Sequence, residues 1–247
     1  MEELELVRYA VQSFWYQRKG GSGVRGGKTL DGFLALVVKE IEASDLREYQ
    51  IHTGVNSSQL PGYFRPHKSW DIVVTWRGHL VAAIELKSQV GSIGNNFNNR
   101  TEEVLGSGLD LSIAINENAF LPGVRPFMGY LILVEDSETT RSSTRISMDN
   151  FPVMPGFLAD ENHRGTNYQP INGKYPRATG VSYLERYEIL CRKLMYKQVY
   201  DAASVIAVSK DNATEGSYSN LSAPTSVNAF LDRLVNHCNH FARFAGY

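Results

Sequence analysis

The sequence predicts an α/β fold in which helices flank a central mixed β-sheet. Amphipathic helical segments alternate along the chain with short apolar strand segments, the pattern of a sheet covered by helices. Residues 30–41 repeat apolar side chains at i, i+3, i+4, i+7, i+8 and i+11, the spacing of one helical face. Residues 127–134, FMGYLILV, are continuously apolar, as expected for a strand buried on both faces.

The predicted elements can be placed in order along the chain. They are a helix over 30–41, strands near 49–53, 71–76 and 80–87, a helix over 98–115, a strand over 127–134, a helix over 182–200, a strand over 204–209 and a helix over 226–244. Thr29 precedes the first helix and is its predicted N-cap. Gly106 and Gly108 lower the helix propensity of the second helix without removing its apolar periodicity.

The composition is that of an ordinary globular protein of 247 residues, with 43% hydrophobic and 21% charged residues. Because we find no repeat or linker, we predict a single domain over residues 1–247, with its core formed by about 29–135 and 182–210. No run of eighteen apolar residues indicates a membrane span. The N-terminus has no secretory pattern and two cysteines are too few for a disulfide framework, so we expect a cytoplasmic protein without membrane contact.

Residues 136–180 stand apart from this layout. They show neither helical nor strand periodicity and contain four of the nine prolines. Structureless loops of this length are uncommon in compact domains and are usually functional or disordered. The formal net charge is −1, but residues 6–30 and 162–184 each carry basic residues and no acid. We interpret residues 136–180 as a polar insertion that contacts DNA, with a solvated basic surface as the alternative.

Two motifs resemble known sites but fail on spacing. GKT at residues 27–29 matches the end of a phosphate-binding G-x-x-x-x-G-K-[ST] loop, but Ser22 stands where the first glycine is required. NHCNH at residues 236–240 combines Cys238 with two histidines, but a closed zinc site needs four ligands and the sequence offers no second pair. We interpret the first motif as a flexible basic loop and the second as structural.

Chemistry is indicated by VAAIELKSQ, residues 81–89, where an apolar strand ends with Glu85 and Lys87. Side chains alternate between the faces of a strand, so these two groups share one face. A neighbouring strand, WDIVV, begins with Asp71 ahead of its own apolar run. Both carboxylates therefore lie at the ends of adjacent core strands. The alternative is a surface ion pair on an edge strand, which contributes little.

The register of the hairpin decides whether Asp71 and Glu85 face each other. A two-residue turn at residues 77–78 would place Glu85 on the opposite face from Asp71. A three-residue loop at residues 76–78, with its glycine in the left-handed region, would pair Asp71 with Ala83 and restore a common face. A functional site therefore predicts a three-residue connection.

Two carboxylates on one face make an oxygen site for Mg²⁺, which takes one or two carboxylates together with waters and phosphate oxygens. We predict that Asp71 and Glu85 hold the metal. The Lys87 ammonium can hold the attacking water and stabilise charge on the phosphorus, and the metal can polarise the phosphoryl group. This set of groups is suited to phosphodiester hydrolysis.

The pattern D-x(13)-E-x-K, in a helix, three-strand, helix, strand order, resembles the PD-(D/E)xK nuclease superfamily. Asp71 matches the metal-binding acid of that family, Glu85 the second acid and Lys87 the catalytic lysine. The proline that gives the motif its name is replaced by Trp70, a position that serves backbone geometry. The resemblance implies a restriction-endonuclease-like core, cleavage that depends on Mg²⁺, and ends that carry a 5′-phosphate.

The stretch SWDIVVTWRGHLVAAIELKSQVGSIGNNFNNRTEEVLGSGLDL, residues 69–111, is similar to the type II restriction endonucleases of the XhoI group. This resemblance implies double-strand cleavage of DNA at the palindrome CTCGAG by a homodimer, and a cognate methyltransferase that acts on the same site. A two-fold symmetric protein suits a palindrome because each subunit reads one half-site.

Further candidate residues surround the acidic strand. GSIGNNFNNR, residues 91–100, suggests DNA contacts by Asn96, Asn99 and Arg100, because asparagine can pair with adenine and arginine with guanine. The alternative for this segment is a turn that enters a helix. Gln89, two residues beyond Lys87, and Asp31, at the start of the first helix, are possible supporting residues. Glu40 lies at the edge of the same helical face as Asp31, so periodicity does not choose between them. The favoured interpretation of each is a solvated helix charge.

Three other functions stay open at this point. A structure-specific or repair nuclease of the same superfamily would share the catalytic residues but cut by DNA structure rather than sequence. A DNA-binding protein without cleavage could keep the fold. An NTPase would need the incomplete loop that contains Lys28.

Overall fold

The computed structural model describes residues 3–19, 28–161 and 168–245. Most of the glycine-rich loop that contains Ser22, residues 20–27, lies outside these ranges, as do residues 162–167 of the predicted insertion. Within the described ranges, no helix is both long enough and apolar enough to cross a membrane.

Six α-helices form in the part of the chain that the structure describes. They are α1 (Glu3–Lys19), α2 (Asp31–Ala43), α3 (Ile93–Asn116), the single turn α4 (Glu138–Arg141), α5 (Tyr183–Tyr196) and α6 (Val227–Ala245). Short 3₁₀ turns connect some of them, including one over Lys28–Leu30 that leads into α2.

Ten short and long strands form the sheets of the described residues. They are β1 (Tyr49–His52), β2 (Gln59–Leu60), β3 (Lys68–Ser69), β4 (Ile72–Trp76), β5 (His79–Gln89), β6 (Phe127–Glu135), β7 (Thr144–Ile146), β8 (Ala178–Gly180), β9 (Ala202–Val208) and β10 (Tyr218–Asn220). Six of them make the central sheet in the order β1-β4-β5-β6-β9-β10. Strands β5, β6 and β9 run parallel, and the outer pairs are antiparallel.

The central sheet separates two layers of apolar core. One face packs against α1, α2 and α6 and receives Ile84 and Leu86 from β5. The other face is covered by α3 and α5 and receives Ala83 from β5 and Tyr130 from β6. The predicted α/β class with a central mixed sheet and flanking helices is confirmed.

The strands and helices predicted from periodicity are present, with differences at their ends. The N-cap prediction for Thr29 is wrong: Leu30 occupies the cap position and makes no side-chain cap hydrogen bond, because a 3₁₀ turn leads into α2. The helix predicted over 182–200 ends at Tyr196. Helix α1 was not predicted, although its buried Val7 and Val11 have helical spacing.

The predicted insertion contains regular structure that its sequence pattern did not indicate. Strands β7 and β8 form an antiparallel pair, and Leu158, Tyr168 and Ala178 form a small apolar cluster beside them. Elements of three or four residues are too short to produce a recognisable period, which is why the segment was predicted to lack them.

Candidate active site

The hairpin of β4 and β5 places the two acids opposite each other. Its connection is a two-residue turn in which Arg77 and Gly78 both have positive φ, 47° and 84°, so that Trp76 pairs with His79. Such turns suit the twist of a hairpin. The predicted three-residue connection is therefore wrong.

A β-bulge supplies the change of face that the turn does not. Thr75 pairs with Leu80 but Val74 pairs with Ala82, so Val81 is the extra residue of the bulge. Val81 and Ala82 accordingly both lie in the core layer of α1, α2 and α6. Beyond the bulge Ile72 pairs with Ile84, which puts the preceding Asp71 opposite Glu85.

Hydrogen bonds hold the acidic pair in this register. The Asp71 carboxylate, through Oδ2, accepts a hydrogen bond of 2.7 Å from the backbone N–H of Leu86. The backbone N–H of Asp71 donates to the carbonyl of Ile84 at 3.2 Å. On the other side of the sheet, Nε2 of His237 in α6 lies 3.1 Å from the carbonyl oxygen of Val81. Since a carbonyl only accepts, that ring nitrogen carries the hydrogen.

The Glu85 carboxylate lies between two ammonium groups. Its Oε2 accepts from Nζ of Lys68 at 2.5 Å, and its Oε1 accepts from Nζ of Lys87. The Glu85 side chain is 7% exposed, and those of Lys68 and Lys87 are 16% and 27% exposed. The site is therefore a half-enclosed cluster of two acids and two bases at one face of the sheet.

Burial and charge shift the pKa values within this cluster. Burial raises the pKa of the Asp71 carboxyl above its ordinary value, and the negative charge of Glu85 raises it further. Burial alone would lower the pKa of Lys87, but the charge of Glu85, its hydrogen bond and the charge of Asp71 together hold the pKa above its ordinary value. Lys87 is therefore a cation at neutral pH, able to bind a water or a phosphate oxygen.

Helix α3 provides the wall next to Glu85 and Lys87. Arg100 and Glu103 form an ion pair there, and both lie beside the two site residues and Tyr130, with no room for a water between them. Among the described residues, neither Nε of Arg100 nor the hydroxyl of Tyr130 has a hydrogen-bond partner, although both atoms are buried. Polar groups with unused hydrogen-bonding capacity therefore adjoin the catalytic candidates.

The other predicted residues are placed as follows. Gln89 is buried on the strand face of Glu85, and its Nε2 donates to the carbonyl of Gly91 at 2.7 Å. Asp31 is exposed at the first position of α2, which packs against the opposite face of the sheet. Asn96 is half-buried and Asn99 is exposed, and both lie within α3.

Lys68 is the site residue that the sequence analysis missed. Its Nζ lies 4.5 Å from the centre of the Trp70 ring, in addition to its ion pair with Glu85. Lys68 belongs to β3, a strand of two residues that shows no period. The indication of its role in the sequence is that Lys68 stands three residues before Asp71.

The two carboxylates of the site are ligands of the kind that Mg²⁺ takes. The described residues contain no group of three or more His, Cys, Asp and Glu side chains that could hold a metal. Two facing carboxylates, Asp71 and Glu85, meet the need of Mg²⁺ for one or two carboxylates beside waters and phosphate oxygens.

Comparison with known proteins identifies the family. The family model of the restriction endonuclease XhoI matches residues 16–169 and 168–220. The type II restriction enzyme XhoI of Xanthomonas vasicola is 42% identical over 207 residues, which cover 78% of this chain and 75% of the relative. The type II restriction enzyme BstVI of Geobacillus stearothermophilus is 34% identical over 220 residues, covering 87% and 88%.

A third relative, the type II restriction enzyme AbrI of Azospirillum brasilense, is 46% identical over 146 residues, covering 53% of this chain and 66% of the relative. No solved structure matches the chain. The acids and lysines described above therefore lie in a protein that acts on DNA and belongs to a group of enzymes that use a divalent metal. The chain belongs to the XhoI family of type II restriction endonucleases, which are site-specific deoxyribonucleases.

Proposed function

We propose that this enzyme cleaves both strands of DNA in a reaction that depends on Mg²⁺ and uses Asp71, Glu85 and Lys87. The observation that carries the proposal is the common face of Asp71 and Glu85, produced by the bulge at Val81, with the Lys87 ammonium on the Glu85 carboxylate. An edge-strand ion pair does not account for this arrangement, because β5 is an inner strand and Glu85 is buried.

Each residue has a defined part in the proposed reaction. Asp71 and Glu85 hold the metal, which when bound polarises the phosphoryl group and stabilises the leaving oxygen. Lys87 donates a hydrogen bond that orients the attacking water and stabilises negative charge on the phosphorus. Arg100, which lies beside Glu85 and Lys87, would hold a phosphate oxygen of the bound DNA. The 5′-phosphate ends follow from the resemblance to the nuclease superfamily.

The proposed target is the palindrome CTCGAG, and the proposed active form is a homodimer. The target rests on family membership and on the similarity to an enzyme named XhoI. Each subunit would read one half-site and cut one strand. Residues 136–180 and the exposed side of α3 that carries Asn99 are proposed to contact this DNA, within a single endonuclease domain. A methyltransferase would modify the same site and need not bind the nuclease.

The test is a plasmid digest by the purified protein, with Mg²⁺ or with EDTA, followed by sequencing of the cut ends. We expect fragments that form only with Mg²⁺ and end at CTCGAG with 5′-phosphates. Fragments that end at another sequence would overturn the proposed target and keep the chemistry. An absence of cutting by folded protein that binds DNA would overturn the proposed catalytic residues.

The same digest tests the site residues. Glu85→Gln and Lys87→Met should each reduce cutting by about a hundredfold or more, the usual loss when one group that stabilises transition-state charge is removed. Glu42→Gln, which changes an exposed carboxylate of α2 on the other side of the sheet, is the matched control and should cut at the wild-type rate. Wild-type rates in Glu85→Gln would contradict the assignment.

A further inference from the structure

Two exposed aromatic rings lie on the loop that joins β2 to β3. Pairing of Gln59 with Ser69 and of Leu60 with Lys68 makes residues 61–67 the loop of this hairpin. Tyr63 is 54% exposed and Phe64 is 69% exposed, and their rings meet edge to face with centroids 4.9 Å apart. Two large rings exposed side by side are unusual on a surface that has no partner to bind.

A buried carboxylate fixes the backbone of this loop. Asp110 of α3 is 3% exposed and accepts hydrogen bonds of 2.7 Å from the backbone N–H of Phe64 and from Nε of Arg65. A Cβ on Gly62 would lie 2.3 Å from Oδ2 of Asp110, so this close approach requires glycine. The two rings are therefore held in place by an ordered backbone, an arrangement that lowers the entropic cost of binding.

The base of the same hairpin reaches the candidate active site. Lys68 of β3 donates to Glu85, and only three residues separate it from Phe64. Four chain steps span at most about 14 Å, which is close to the ~12 Å width of the major groove. A duplex whose phosphate lies at Glu85 is therefore wide enough to contact Tyr63 and Phe64 as well.

The cations beside this loop can bind phosphate. Residues 49–70 contain no Asp or Glu and include Arg65 and Lys68, which pair with Asp110 and Glu85 from other elements. The Arg65 side chain nevertheless stays 42% exposed. An exposed guanidinium next to two aromatic rings combines phosphate attraction with apolar contact to the sugars of a duplex.

We propose that the loop over residues 61–67 is a DNA-contacting element in which Tyr63 and Phe64 pack against the duplex beside the scissile phosphate. Asp110 holds the loop in its binding shape, and Lys68 links it to Glu85. This inference rests on the proposed cleavage site, because the position of the loop is defined relative to Glu85.

The test is the binding of a fluorescein-labelled duplex that carries the site found in the plasmid digest, measured by anisotropy in Ca²⁺ under conditions that show no cutting. The double variant Tyr63→Ser with Phe64→Ser should raise Kd by about tenfold or more, because the apolar area of two rings is no longer buried against the duplex. The slope of log Kd against log salt should stay unchanged, because no charge is removed.

Two further variants make the comparison specific. Phe244→Ser removes a ring of similar exposure, 66%. Phe244 lies one helical turn from Phe241, which meets Trp76 edge to face at the far end of β4 from Asp71. The Kd of this variant should equal that of the wild type. The exchange Tyr63→Phe with Phe64→Tyr keeps both rings and should also bind as the wild type does.

Three other outcomes would each overturn the inference, and the measurements distinguish them. An unchanged Kd in the double serine variant shows that the rings do not contact DNA. A weaker Kd accompanied by dissociation into monomers, seen by sedimentation, assigns the rings to a contact between protein chains. If the wild type itself neither binds nor cuts DNA, the proposed function fails first and this inference fails with it.

Discussion

Glu85 accepts hydrogen bonds from two ammonium groups, and this arrangement determines how the site meets a divalent cation. Lys68 binds Oε2 and Lys87 binds Oε1 of the same carboxylate. A metal that uses Glu85 must displace or share the position of one ammonium, and like charges at such short distances repel. Lys68 therefore opposes metal binding while it holds the carboxylate in place.

Lys68→Met tests this competition. Loss of the ammonium should tighten divalent-ion binding by about tenfold, because a repelling charge is removed from Glu85. Titration calorimetry with Ca²⁺ measures the effect without a cleavage assay. Lys197→Met removes an ammonium that lies over Tyr196 at the end of α5 and is the control. Weaker ion binding in Lys68→Met would instead make the ammonium a support for the metal site.

The sequence predicts the roles of some residues of the site but not of others. Glu85 and Lys87 were predicted to share a face because strand alternation is a local rule. The common face of Asp71 and Glu85 is predicted from a three-residue turn, which is the wrong reason. In the structure, the bulge at Val81 brings the two acids to one face. Lys68 was missed because its role depends on a contact across 17 positions of the chain.

At the scale of elements, α6 supports the bulge that orients the catalytic strand. Burial lowers the pKa of His237 below its ordinary value, so the ring is neutral at pH 7 while its N–H donates to Val81. His237→Phe leaves this carbonyl without its donor and should reduce the free energy of unfolding by about 1–3 kcal/mol. Urea denaturation measures it. His240→Phe, at an exposed position of the same helix, should change stability little.

The link between α3 and the loop at residues 61–67 should depend on pH. Burial would raise the pKa of Asp110, but hydrogen bonds from the backbone of Phe64 and from Arg65 outweigh it and hold the pKa below its ordinary value. A carboxyl with a depressed pKa in the folded state stabilises above its unfolded pKa of about 3.9 and loses this effect as pH falls through the folded value.

Asp110→Ala should therefore destabilise the protein by about 1.5–3 kcal/mol at pH 7, the usual value of hydrogen bonds to a charged group, and by less below about pH 4. Thermal unfolding of both proteins across this pH range provides the measurement. Asp232→Ala, at an exposed position of α6, is the control. A difference in stability that does not change with pH would contradict the role of the ionised carboxylate.

Long elements with a regular or continuous apolar pattern could be predicted, and short elements held by distant contacts could not. Helix α2 and strand β6 display their burial in the spacing or continuity of apolar residues. Helix α1 has the same kind of spacing and is predictable in the same way. The strands β2, β3, β7 and β8 have two or three residues each, and contacts with distant segments determine them.

At the scale of the whole molecule, the proposed dimer predicts how a plasmid is cut. If two subunits bind one palindrome, both strands are cut within one binding event. Supercoiled plasmid should then become linear with little accumulation of the nicked form, and sedimentation should give twice the monomer mass. Complete conversion to nicked circles before any linear product would indicate a subunit that acts alone.

The bulge at Val81 also bears on how relatives of this enzyme are found by sequence. With one residue fewer in β5, a two-residue turn followed by a regular ladder would also place Asp71 opposite Glu85. The facing arrangement of the two acids therefore does not itself require Val81. A relative that lost this residue would keep the same catalytic face, although His237 would lose its acceptor. A search pattern with a fixed interval between the first acid and E-x-K would pass over that relative, whereas one that tolerates a single deletion would include it.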